Sequence, residues 1–219
     1  GELNVTFNDA GEIVTAVGEP ISIDGTIAED VATVARIAEM AIPLEEIRTR
    51  VVASSAAAIE GDRSVCRVME CEMGNLVADA MLDRVSDQGI VISIANSGGV
   101  RASIDAGDVT MGEVYTVLPF QNTLSTFDVT GETLISALEN GVSEYEDVAG
   151  RFPQVAGMSY TVDPAAEVGA RISEVKIGGV AIDMTATYGV VSNNYVRGGG
   201  DGYKMFRDAA NAYDFGPDV

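Results

Sequence analysis

Three short segments gather the side chains best suited to hold a ligand. The first, Asn96-Ser97-Gly98-Gly99-Val100-Arg101, follows the apolar run Ile90–Ala95, which reads as a fully buried strand. Polar groups at the end of such a strand lie at the rim of a sheet. There the glycines let backbone approach a ligand, and Arg101 offers a planar fork to an anion. Leu118-Pro119-Phe120-Gln121-Asn122 and Asn194-Tyr195-Val196-Arg197-Gly198-Gly199-Gly200-Asp201-Gly202 have the same character, each with an aromatic ring among amides or glycines. Alone, each segment reads first as an ordinary turn, with its arginine solvated and Asp201 in an Asp-Gly bend. Their recurrence in one chain is what points to a site.

Composition narrows the chemistry. The 219 residues carry 13 basic and 34 acidic side chains, a net charge of −21, so long-range repulsion disfavours nucleic acid and anionic membranes as partners. It leaves room for a small anion held by a few converging arginines. The chain has no histidine, which rules out within it a Ser-His-Asp site, an imidazole zinc site or a His-rich two-metal phosphoesterase centre. No apolar run approaches the ~20 residues of a membrane span, and the N-terminus lacks a basic-then-apolar signal segment. Starting at Gly1-Glu2-Leu3 without Met, the chain is expected to be a piece of a longer protein. Cys66 and Cys71 are too few to close a zinc site, and their spacing leaves both a small-loop disulfide and reduced core thiols open.

The elements that must position these segments follow from periodicity. Residues 1–24 alternate around Asn8-Asp9-Ala10-Gly11 and predict a β-hairpin, with Ile21 and Ile23 on a further short strand. Val31, Val34, Ile37, Ala38 and Ala41 share a helical face that Pro43 is expected to interrupt. Val51–Ile59 reads as a strand, Gly61–Glu72 as a loop, and the segment from Gly74 as a helix burying Leu76, Val77, Ala80, Met81 and Val85. Thr110 and Glu113 have capping-box spacing, for a short helix ending before Pro119. A strand over Thr123–Val129 leads to a helix over Glu132–Tyr145 capped by Thr130, with Leu134, Ile135 and Leu138 inward. Strands are expected over Gly157–Val162 and Arg171–Ile177, then a Gly178-Gly179 hairpin, a buried strand over Tyr188–Ser192 and a closing helix near Tyr203–Ala212. The fold class is α+β (mixed α/β): a mixed sheet with packed helices.

Four segments in order resemble the C-terminal substrate-binding domain of the 5′-nucleotidases, two-domain metallophosphoesterases that include UDP-sugar hydrolases and ecto-5′-nucleotidases. They are Cys66–Leu76, Asn96–Arg101, Val117–Thr123 and Asn194–Tyr203. The resemblance assigns residues 1–27 to the last strands of the family's N-terminal metallophosphatase domain and 28–50 to an inter-domain linker helix, the place to seek a hinge. Residues 51–219 are then the substrate-binding domain.

By the same resemblance Arg67 and Arg101 engage phosphate, and Phe120 and Tyr195 sandwich the base. Asp201 accepts the ribose hydroxyls, while Asn96, Gly98 and Asn122 shape the pocket. Cys66 and Cys71 are expected to be disulfide-bonded. Three departures from the family pattern stand out. Ser97 replaces a glycine and is expected to restrict backbone approach slightly, Gln121 replaces a glycine beside the stacking ring, and Arg197 is expected to place a cation near the pocket. The implied function is nucleotide recognition within a periplasmic or extracellular enzyme that hydrolyses nucleoside monophosphates or nucleotide sugars. Its two divalent metal ions would lie in the other domain, with no cofactor in this chain and no catalysis by it alone. Rival readings are a 2′,3′-cyclic-nucleotide phosphodiesterase/3′-nucleotidase, a thiosulfohydrolase of the same plan, or a non-catalytic binding module.

Overall fold

Alternation in the first twenty residues folds as an antiparallel hairpin, β1 (Glu2–Phe7) and β2 (Ile13–Glu19), in a computed structural model that describes all 219 residues. Asn8 closes the turn, its Oδ1 accepting from the backbone N–H groups of Ala10 and Glu12. The expected third strand at Ile21 and Ile23 does not form, and the sheet has two strands. Pro20 lacks a donor, and the Asp24 carboxylate draws the chain into a bend by accepting from Thr26. Helix α1 (Val31–Thr49) runs through Pro43 rather than breaking there. Strong helix formers on both sides outweigh the hydrogen bond that proline removes. The chain divides into two units, Gly1–Glu46 and Ile47–Val219.

The second unit opens with β3 (Val51–Ser55), a short helix α2 (Arg63–Cys66) and α3 (Glu72–Arg84). Next come β4 (Ile92–Asn96), β5 (Gly107–Thr110), α4 (Met111–Val117), β6 (Leu124–Thr130) and α5 (Gly131–Val142). It closes with β7 (Pro153–Ala156), β8 (Met158–Val162), β9 (Ile172–Ile177), β10 (Val180–Ala181), β11 (Thr187–Asn193), α6 (Asn194–Arg197) and β12 (Ala210–Tyr213). Five strands form the central sheet in the order β12-β6-β11-β4-β7, parallel only between β11 and β4. β10-β9-β8 form an antiparallel sheet, and β3 pairs with β5.

Helices cover both faces of the central sheet, which is why β4 and the end of β11 are buried without alternation, their Ser93, Asn96, Ser192 and Asn193 included. Met73, Val77 and Met81 of α3 pack with Ala95 and Val191, while Leu134 and Ala137 of α5 pack with Ile92, Ile94 and Val190. The seam of α3 therefore runs 73/77/81/85, leaving Leu76 and Ala80 exposed and correcting the expected face. The helix begins two residues early, capped by Cys71 Sγ, and Gly74 lets it press against β7: a Cβ there would lie 2.4 Å from Gln154.

Other expectations were closer. Thr110 and Glu113 form the capping box, and Thr130 caps α5 by accepting from Thr133 N. That helix stops at Val142, three residues short of Tyr145, and α2 interrupts the expected loop with a turn capped by Asp62. The closing helix over Tyr203–Ala212 does not form. Tyr203 and Phe206 instead stack in the core at 5.6 Å on a single 3₁₀ turn, and β12 pairs along the edge that β6 would otherwise leave open.

Candidate ligand-binding cleft

The parallel pair β4 and β11 ends on two asparagines, Asn96 and Asn193, both buried. Asn193 Nδ2 donates to Asn96 Oδ1 at 2.9 Å, and Asn193 Oδ1 accepts from Val196 N at 2.8 Å, capping α6. Asn96 is thereby oriented, and its Nδ2 donates to Asp201 Oδ2 at 2.7 Å. Tyr195, carried on α6, donates its hydroxyl to Asp201 Oδ1 at 2.9 Å. Each oxygen of the carboxylate thus holds one donor and keeps acceptor capacity for another. Asp201 sits in the left-handed region at φ 50°, between Gly199 and Gly202, which are also at positive φ. Gly200 lies flat on the Tyr195 ring, where a Cβ would come within 2.5 Å. The Asp201 carboxylate raises the pKa of the Tyr195 phenol by accepting its hydrogen bond, and desolvation and the carboxylate's charge add to the shift.

The rest of the lining comes from four loops. After Asn96 the chain turns through Ser97–Gly99 and is zipped to a second loop, with Gly98 N donating to Gly150 O at 2.7 Å and Ser97 N to Phe152 O at 2.9 Å. Gly98 and Gly150 meet backbone to backbone: a Cβ on Gly150 would lie 2.9 Å from Gly98 Cα. Arg101 places its guanidinium 5.5 Å from the centre of the Phe120 ring, a cation–π contact on a ring that is 54% exposed. Arg67 lies in the loop between Cys66 and Cys71, which are disulfide-bonded with Cα atoms 5.1 Å apart. Its Nη1 donates to Val148 O at 3.2 Å, while its Nε is buried without a partner. Burial, then the charges of Arg101 and Arg63, lower the Arg67 pKa, and Asp201 opposes them. A guanidinium so placed remains charged and is relieved by an incoming anion.

Arg67, Asn96, Gly98, Arg101, Phe120, Asn122, Tyr195 and Asp201, each singled out from sequence, line one open cleft of about 510 Å³ together with Gly99 and Gly150. Its lining presents two guanidinium groups, a carboxylate and a phenol, with the half-exposed rings of Phe120 and Tyr195 among them. Two departures take roles other than those expected. Arg197 does not line the cleft: it donates to Phe206 O at 2.8 Å and Arg207 O at 3.0 Å, with its guanidinium over the Phe127 ring. Ser97 is buried, and its Oγ donates to Gly150 O at 3.3 Å, so it does not restrict approach to the cleft. Gln121 adopts φ 52°, the backbone region that glycine occupies freely. The sequence reading missed Asn193 and Gly150. An asparagine ending a buried strand was a usable signal for the first; a single glycine in an irregular loop gave none for the second.

No three His, Cys, Asp or Glu side chains converge as metal ligands. With no histidine in the chain, these residues do not fit a two-metal centre.

Comparison with known proteins gives the family of the chain. The family model described as 5′-nucleotidase, C-terminal domain, matches residues 51–208. The chain is 38% identical over 224 residues to the trifunctional nucleotide phosphoesterase protein YfkN of Bacillus subtilis, covering 99% of this chain and 15% of that protein. It is 32% identical to the 5′-nucleotidase of Rattus norvegicus, covering 99% of this chain and 41% of that one. The solved structure of a 5′-nucleotidase precursor from Thermus thermophilus superposes with a TM-score of 0.81 at 38% identity, over 99% of this chain and 44% of that chain. The chain thus spans less than half the length of these relatives. On the family match and on this fold, the chain belongs to the 5′-nucleotidase C-terminal domain family.

Proposed function

We propose that this chain is the nucleotide-recognition part of a secreted 5′-nucleotidase-like phosphoesterase. It holds base and ribose while its arginines face phosphate. The observation that carries the reading is the convergence of Arg67, Arg101, Phe120, Tyr195 and Asp201 on one cleft. Aromatic faces stack on any base, a carboxylate with free acceptor capacity suits a cis-diol, and guanidinium groups suit phosphate. Hydrolysis belongs to a domain outside this chain, because the residues here cannot assemble the metal centre.

In this reading residues 1–27 are terminal strands of that other domain and residues 28–50 the linker. Support comes from the start of the family match at Val51 and from the hairpin, whose Leu3, Phe7, Ile13, Val14 and Val17 are all exposed. The disulfide supports a periplasmic or extracellular location.

Calorimetric titration with AMP, adenosine, UDP-glucose and thiosulfate tests the proposal. AMP and adenosine should bind, and a Phe120→Ala/Tyr195→Ala variant should lose both. Thiosulfate binding without nucleoside binding would refute the proposal in favour of a sulfur-ester substrate.

A further inference from the structure

We infer that Gln154 is the positioning residue for Arg67, holding the arginine's loop in the register that aims it at the cleft. The inference rests on the phosphate role proposed for Arg67. Gln154 is the second residue of β7, opposite Ala95 of β4, and its side chain is 1% exposed. Its amide spans the disulfide loop: Nε2 donates to Cys66 O and to Met69 O, each at 2.8 Å, and Oε1 accepts from Cys71 N at 3.3 Å. Two carbonyls on one side and an N–H on the other fix which end of the amide faces which.

The Cys66 carbonyl and the Arg67 N–H belong to one rigid peptide plane. Holding that carbonyl therefore sets the direction in which the chain enters Arg67. The disulfide closes the loop on itself, whereas Gln154 ties the loop to the central sheet. Arg67 needs this, because its side chain has one hydrogen bond, to Val148 O, and a buried Nε with none. The absence of a side chain at Gly74 is what makes room for the glutamine.

The test compares the intact 219-residue chain with Gln154→Met, which keeps length and apolar bulk, and with Arg67→Ala. Each is titrated calorimetrically with AMP and with adenosine, and the readout is the ratio of the two affinities. A role in packing alone would weaken both ligands together. Positioning of Arg67 predicts an AMP-to-adenosine ratio about tenfold lower in Gln154→Met, the scale of one charge-assisted hydrogen bond, with adenosine affinity kept within about twofold. Equal losses for both ligands in Gln154→Met overturn the inference, as does an unchanged ratio where Arg67→Ala lowers it. An unchanged ratio in Arg67→Ala refutes the phosphate reading instead. Amide hydrogen exchange over residues 66–72 of the ligand-free variant then judges the loop by itself. Faster exchange there with the central sheet unchanged supports the hold by Gln154, and unchanged exchange overturns it.

Discussion

Asn193→Ala is the substitution whose cost can be worked most directly from the site. Asn193 does two things at once, capping α6 through Oδ1 and orienting Asn96 through Nδ2. Losing an asparagine cap costs about 1 kcal/mol. Losing the donor leaves Asn96 Oδ1, in a residue 5% exposed, without its partner, at about 1–3 kcal/mol. The sum is roughly 2–4 kcal/mol, which for a unit of this size corresponds to a fall of about 4–16 °C in Tm. Thermal denaturation followed by circular dichroism measures it. Asn193→Asp separates the two contributions, since the carboxylate still caps α6 but presents no donor to Asn96. In a double-mutant cycle, Asn193→Ala and Asn96→Ala should be coupled by about 1 kcal/mol or more. A fall below about 2 °C in Asn193→Ala, or strict additivity of the pair, would refute the claim that these asparagines act as one relay.

Two further tests address the loops and the acid limb. Gly150→Ala puts a Cβ 2.9 Å from Gly98 Cα, against backbone that cannot step aside, and should cost about 1–3 kcal/mol in denaturant unfolding. Gly99→Ala, whose nearest neighbour would be 3.5 Å away, should be near neutral; equal effects would show that the loop contact does not matter. Hydrogen bonds from Thr110 hold the Glu113 carboxyl below its ordinary pKa. Because the folded value is depressed, its stabilising effect is complete above the usual glutamate value and lost as pH falls through the folded one. The Tm gap between the wild type and Glu113→Gln should therefore narrow on acidification from neutral pH, and a gap that widens would contradict the sign.

Most of the cleft was legible because its chemistry is local in sequence: an arginine between cysteines, a ring after a proline, an aspartate among glycines. What escaped were long-range relations. Gln154 reads as a polar residue in an unremarkable stretch, and only the pairing of β7 with β4 brings it under the disulfide loop. On α3, Val77, Met81 and Val85 lie inward as expected, but Leu76 and Ala80 do not, and Gly74, expected to open the helix, lies inside it and packs tightly. The closing segment has helical composition, yet its first half forms a 3₁₀ turn in the core and the edge of β6 pairs with its end as a strand. Arg197 lies next to the pocket residues in sequence, but α6 turns its side chain to the opposite side, over Phe127.

The hydrogen bonds that build the cleft join residues far apart in the chain, 97 positions between Asn96 and Asn193 and 105 between Asn96 and Asp201. Closing loops of that length is entropically unfavourable until the central strands between them have paired. The pocket therefore comes into being only when β4 and β11 lie side by side. A ligand that fills it engages the completed sheet and no earlier species, so binding stabilises the finished fold alone. Occupancy of the cleft thus reports complete assembly of the second unit, and a fragment ending before β11 would keep its arginines and Phe120 without having anywhere to gather them.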